Sequence, residues 1–145
     1  MGCSTAVVQT TVNRWVVGSN PTTPVGIFEN CSNSQAQGNV GMGRCIAYYS
    51  DLGYTISVPM NDCQEYDLVV EYPDGLKKVQ VKTTRYKNRQ GNYVVNLRTM
   101  GGSKSASNWK LPNNYDILWA INELGEIKVW TKEELGDQQS ITMIG

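Results

Sequence analysis

The chain has 145 residues, a length suited to one globular unit with a sizeable core. Its 13 basic and 13 acidic side chains cancel, which excludes an overall basic field, so an anionic partner would have to be met by a local patch. Histidine is absent, which excludes Ser-His and Cys-His catalysis, histidine-ligated zinc and any nuclease built on a histidine base.

Residues 1–33 are rich in Thr, Val, Asn, Ser, Gly and Pro, carry few charges and show no sustained period, so they read as an N-terminal extension to a domain spanning 34–145. Back-translated, Gly18-Ser19-Asn20-Pro21 can be written GGTTCGAATCC, which is similar to the T-arm of a tRNA gene. The stretch Val16 to Pro24 thus reads either as a translated tRNA-gene overlap or as an ordinary extension. From Ser34 to Leu52 the spacing predicts a helix with Met42, Cys45, Ile46, Tyr49 and Leu52 on its apolar face and Gly53 beyond its end. Gly38, Gly41 and Gly43 weaken that helix, each by about 1 kcal/mol against Ala, and imply close backbone approach to the sheet or to a phosphate. A short strand is expected at Tyr54 to Pro59. Tyr66 to Glu71 and Lys77 to Thr84 alternate polar and apolar residues around Tyr72-Pro73-Asp74-Gly75 and predict a β-hairpin with Tyr72 opposite Gly75 and Leu68 opposite Val79. Strands follow at Asn92 to Arg98, Tyr115 to Asn122 (wholly apolar, hence central) and Ile127 to Trp130. Thr99 to Asn114 reads as one long polar loop, and Thr131-Lys132-Glu133-Glu134 as the capping box of a last short helix. The element order makes a mixed α/β sheet flanked by helices. Cysteines at 3, 31, 45 and 63 lack CxxC spacing and read as free thiols of a reducing compartment. No run approaches the ~18 apolar residues of a membrane span, and no signal sequence is apparent, so a soluble, intracellular protein is expected.

In the hairpin register Asp67, Gln80 and Lys82 share one face. A phosphodiester hydrolase without histidine needs a divalent cation to polarise the phosphate and acidify water, with a cation or acid beside it. A hard ion takes oxygen ligands, and here the Asp67 carboxylate, the Gln80 amide oxygen and the Val81 carbonyl could supply them, with Lys82 orienting water or neutralising charge. The same side chains also suit a hairpin whose polar face simply meets water.

Tyr66-Asp67-Leu68-Val69-Val70 followed by Val79-Gln80-Val81-Lys82-Thr83 resembles the core of the PD-(D/E)XK nuclease superfamily, in particular its small group I intron-associated or free-standing homing endonucleases. The resemblance takes in Gly38-Asn39-Val40-Gly41, Gly53 to Pro59 and Tyr115 to Ile121, and covers roughly Gln37 to Trp130. It implies a restriction-endonuclease-like core, with Asp67 as metal-binding aspartate and Lys82 as catalytic lysine. It also implies a Mg²⁺-dependent DNA endonuclease, with Mn²⁺ as a substitute, acting on duplex DNA as a homodimer or higher homo-oligomer. The setting would be the cytoplasm of a bacterial or phage-infected cell, with no secretion and no membrane partner. Two departures stand out: Gln80 replaces the first acid of the (D/E)XK triplet, and Met42 stands where the helix usually contributes a glutamate. Asp62 and Glu65 are near enough in sequence to substitute. Alternatives are a catalytically inactive DNA-binding module with the same fold, or a Holliday junction resolvase.

Arg85, Lys87, Arg89, Arg98, Lys104 and Lys110 follow the hairpin, with Tyr86 and Trp109 among them. Together they read as a local basic surface for phosphate contacts with rings able to stack or wedge. Lys77, Lys78, Lys128 and Lys132 read as ordinary surface charges, and Trp119 and Trp130 as core or dimer-face residues.

Overall fold

The computed structural model describes residues 26–61, 63–100, 109–110 and 114–144. Val16 to Pro24, Asp62 and Lys104 lie outside the described residues. So do the side chains of Trp109 and Lys110, whose backbone alone is placed.

Helix α1 (Ser34–Asp51) starts where Asn33, in extended backbone, accepts the Ala36 N–H on its side-chain oxygen at 2.8 Å. It ends at Leu52, after which Gly53 turns left-handed with φ +80°. The expected apolar face is rotated. The fully buried row is Gly41, Cys45 and Tyr49 at spacing four, with Met42, Ile46 and Tyr48 at its flanks, while Leu52 is 53% exposed. Gly41 causes the rotation, because a Cβ there would overlap the Thr83 methyl; without one, the helix backbone lies directly on the sheet. Gly43 instead faces open space. Overpacking at Gly41 should cost about 1–3 kcal/mol, against a helix-propensity gain of about 1 kcal/mol. Gly41→Ala is therefore expected to lower the urea midpoint and Gly43→Ala to raise it; midpoints moving in the same direction would refute the close-approach account.

Five strands form the main sheet in the order β1 (Ile56–Ser57), β2 (Leu68–Tyr72), β3 (Gly75–Thr84), β7 (Ile117–Asn122) and β8 (Ile127–Thr131). All neighbours are antiparallel except β3 and β7, which run parallel, so the sheet is mixed, as expected. The hairpin has the expected register, Tyr72 facing Gly75 and Leu68 facing Val79, with no bulge residue. Every residue of β7 is buried, as a central strand covered on both faces requires.

Alternation along β3 and β7 sorts the two cores. Val79, Ile117, Trp119 and Ile121 pack with Leu68, Val70, Phe28 and the buried row of α1. Leu118 and Ala120 pack on the opposite face with Val95, Leu97, Tyr115, Trp130 and Leu135. Trp119 and Trp130 are thus core residues, and full burial of a large apolar side chain contributes about 1.5–3 kcal/mol. Phe28 is fully buried, so packing onto the core begins upstream of residue 34.

The second face is covered by a ribbon that the sequence reading did not contain. Strand β4 (Tyr93–Asn96) pairs antiparallel with β9 (Ser140–Met143), where no strand was expected. Thr99 to Asn114 is also not one plain loop, since Thr99–Met100 (β5) pairs with Trp109–Lys110 (β6). The short helix α2 (Lys132–Leu135) carries the expected capping box, Thr131 and Glu134 bonding each other's backbone N–H.

Candidate active site

Strand β3 outruns β2. Its first half pairs with β2 as far as Val79, which also pairs with β7, and from Gln80 to Thr84 it pairs only with β7, leaving the β2-side edge of Gln80 to Thr84 without a strand. A backbone N–H on that edge needs another acceptor. Asp67, one residue before β2, supplies it: its own N–H donates to the Val79 carbonyl at 2.8 Å, and its Oδ2 accepts the Val81 N–H at 2.8 Å. In an extended strand the N–H and carbonyl of one residue share an edge, so the Val81 carbonyl is turned toward the same gap. The carboxylate therefore stands where a strand would have continued.

Gln80 reaches the same oxygen, its Nε2 donating to Asp67 Oδ2 at 3.1 Å. A carboxylate only accepts, so the amide presents its nitrogen, and Gln80 as it stands orients Asp67. Lys82 lies two residues on and interacts electrostatically with Asp67. Burial dominates both charges. It pushes the Asp67 carboxyl above its usual range, opposed by the Val81 N–H bond and the Lys82 charge. It pushes the Lys82 ammonium below its usual range, opposed by Asp67.

A cavity of about 500 Å³ opens in front of this group, bounded by Asp67, Val81 and Lys82 on one side and by Gln35, Asn39 and Met42 of α1 on the other. Sequence reasoning did not single out Gln35 as a site residue, and it used Asn39 only as part of the Gly-Asn-x-Gly stretch. That stretch was the available signal, since its Gly41 lets α1 approach β3, while Gly38 faces open space. A further tie is Gln37, whose Nε2 donates to Thr83 Oγ1 at 2.8 Å.

Of the two acids expected as substitutes, Glu65 is not among the residues lining this cavity. Glu65 Oε2 accepts the Asn114 N–H at 3.0 Å, and Asp62 lies outside the described residues. Met42 does line the cavity. Among the described residues no group of three His, Cys, Asp or Glu side chains is placed to hold an ion. Among the described residues the cavity is lined by one carboxylate, Asp67, together with the Val81 backbone and the Gln35 and Asn39 amides, whose oxygens can join it. That all-oxygen set fits a hard divalent ion that keeps water ligands and takes further oxygens from a substrate phosphate.

Of the expected basic surface, Arg85, Lys87, Arg89 and Arg98 are described. Arg85 donates to the Phe28 carbonyl and lies over the Phe28 ring, tying the upstream segment to the sheet. Lys87 sits 4.8 Å from the Tyr93 ring centroid, and Arg89 is exposed in the turn after it. Arg98 Nη1 donates to Gln139 Oε1 at 2.9 Å and lines a second cavity that also touches Lys82.

A family model described as PD-(D/E)XK endonuclease matches residues 32–119. Among solved structures, the bacterial homing endonuclease I-Ssp6803I is similar with a TM-score of 0.66 and 25% sequence identity, over 79% of this chain and 80% of that one. Comparison with curated protein sequences gives no match. The matched residues contain α1, the hairpin and every side chain named around the Asp67 cavity, and they make up well over half of the sequence: the chain belongs to the PD-(D/E)XK endonuclease family.

Proposed function

We propose that this endonuclease is a divalent-metal-dependent DNA endonuclease of the homing or mobile-element type, cutting duplex DNA at the Asp67–Lys82 centre. The observation that carries the reading is the Asp67 carboxylate held at the vacated edge of β3, hydrogen-bonded to the Val81 N–H and in electrostatic contact with Lys82. Asp67 and the Val81 carbonyl would hold Mg²⁺, or Mn²⁺ in its place; Gln80 would join through its oxygen once its amide turns over. Bound there, such an ion supplies Lewis-acid polarisation of the phosphate and a more acidic water.

The protein's own groups do the rest. Lys82 holds a desolvated positive charge where the phosphate would gain negative charge in the transition state, and such a charge acts most strongly in a water-poor site. Its lowered proton affinity also suits it to exchange a proton with a water or leaving oxygen. Gln80 and the Val81 N–H fix the carboxylate direction. One such site cuts one strand, so a homodimer or higher homo-oligomer would address both strands of a duplex. The structural similarity to a bacterial homing endonuclease supports the homing reading.

The test compares cleavage of a duplex carrying an intact tRNA gene, a random duplex and a four-way junction, with Mg²⁺, Mn²⁺ or EDTA. Metal-dependent cutting of the tRNA-gene duplex is expected. Preference for the junction would mean a resolvase, and salt-dependent binding without cleavage in either metal would mean a DNA-binding module that has lost activity.

A single carboxylate makes for a weak metal site, and Met42 faces the same cavity. Met42→Glu is therefore expected to tighten Mn²⁺ binding on the order of tenfold, since ligand charge tunes affinity for hard cations. Calorimetric titration in the absence of DNA checks this; unchanged affinity would place the ion away from Met42.

A further inference from the structure

Lys82 and Thr83 line both the Asp67 cavity and a second cavity of about 640 Å³, so the two meet at those residues as halves of one trough. The far half is bounded by Tyr86, Asn96, Arg98, Gln139 and Ser140. Among the described residues none of its lining side chains is acidic, and most can donate a hydrogen bond.

This half exists only because of the β4–β9 ribbon. The ribbon is pinned to the exit of β3 by Thr84 Oγ1, which donates to the Val94 carbonyl at 2.6 Å, and by the Val94 N–H, which donates to the Tyr86 carbonyl at 2.9 Å. Arg98 follows β4, and its N–H donates to Asn96 Oδ1 at 3.0 Å. Across the ribbon Gln139 Oε1 accepts from Arg98 Nη1 at 2.9 Å. That amide orients the guanidinium, and a guanidinium fork matches phosphate oxygens. Tyr86, 68% exposed, offers a ring at the rim.

Resting on the nuclease reading above, we propose that the far half of the trough holds the phosphate backbone of the cleaved strand to one side of the scissile bond, with Arg98 as the phosphate contact and Gln139 as the positioning residue that aims it. The occupant follows from the meeting with the Asp67 cavity at Lys82 and from the hydrogen-bond donors among the described lining residues. A nucleic-acid strand running past Lys82 would meet both.

The experiment measures binding of the full chain to a fluorescently labelled random-sequence duplex by anisotropy, in EDTA, over a series of salt concentrations. Arg98→Ala is expected to raise Kd about tenfold and to flatten the slope of log K against log salt by about one, the signature of one lost phosphate contact. Arg98→Lys should keep the parental slope and recover part of the affinity. Gln139→Ala should raise Kd with the slope unchanged, because the charge stays and its aim is lost. Arg98→Gln should flatten the slope as Ala does, and it gives the readout if Arg98→Ala fails to fold. Parental Kd and slope in the neutral Arg98 variants, beside a parent that cuts DNA, overturn this proposal alone; parental Kd in Gln139→Ala overturns the positioning role. A parent that never cuts with Mg²⁺ or Mn²⁺ overturns the nuclease reading, and with it a cleaved strand in the trough.

Discussion

Asp67→Asn is expected to lower DNA cleavage by at least about 10²–10³-fold while leaving the metal-free protein no less stable than the parent. The loss follows because Asp67 is the one carboxylate among the described cavity residues, and an amide in its place is a poor ligand for a hard cation. The retained stability follows from linkage. Burial raises the carboxyl above its ordinary range even with Lys82 and the Val81 N–H acting the other way, so the folded chain binds this proton more tightly than the unfolded chain. Such a group contributes stability that is present below the unfolded pKa and is lost as pH rises through the folded one. At neutral pH the ionised side chain therefore costs stability, and Asn, whose oxygen can still accept the Val81 N–H, removes that cost. Single-turnover cleavage and melting in EDTA across acid to neutral pH measure both halves. The parent should lose stability relative to the variant as pH rises through the acidic range; parental cutting, or a variant that melts well below the parent at neutral pH, contradicts this account.

Lys82→Met should reduce cleavage by about 10²–10³-fold, the range for losing one preorganised charge at the reacting centre. Burial lowers the proton affinity of Lys82, with Asp67 opposing. A base whose folded pKa lies below its unfolded value gains stability as pH rises through the folded pKa toward the unfolded one, so the ammonium too is a cost at neutral pH. Met keeps the apolar stem that packs where the two cavities meet and drops the charge. Lys82→Arg should rescue little, because a planar, bulkier guanidinium does not put its charge at the ammonium position. Both charges of the proposed centre thus work against the fold that carries them, as expected where function is held at some expense of stability. A Lys82→Met variant that cuts at the parental rate would move the chemistry elsewhere.

The hairpin and its site were legible because they are local. Period-two alternation, a Pro-Asp-Gly turn and a spacing of two between Gln80 and Lys82 encode the register directly, and the register aligns Asp67 with them. What escaped depends on distant parts of the chain. The helix face was misjudged because apolar spacing gives no weight to Gly41, whose missing side chain is what lets α1 reach Thr83. Strand β9 was missed because Ser140 to Met143 is short and is defined by its partner β4, more than 40 residues earlier. The Arg98–Gln139 contact was missed with it. The basic run Arg85, Lys87, Arg89 looked contiguous because alternation was carried past Thr84, where β3 ends and residues two apart no longer share a face. Arg85 then turns back to Phe28, a contact that no local pattern announces.

The site itself shows the same division. Asp67 and Lys82 could be named from the sequence, but the reason they are brought together is topological. Strand β2 stops, β3 continues beside β7, and the vacated edge leaves room for a carboxylate, a cation and a phosphate.

The most direct test of that centre is an anomalous-scattering map from crystals grown with Mn²⁺. A peak in direct contact with an Asp67 carboxylate oxygen and the Val81 carbonyl is the expected result. Peaks elsewhere and none at Asp67, from protein that cuts DNA with Mn²⁺, would contradict it.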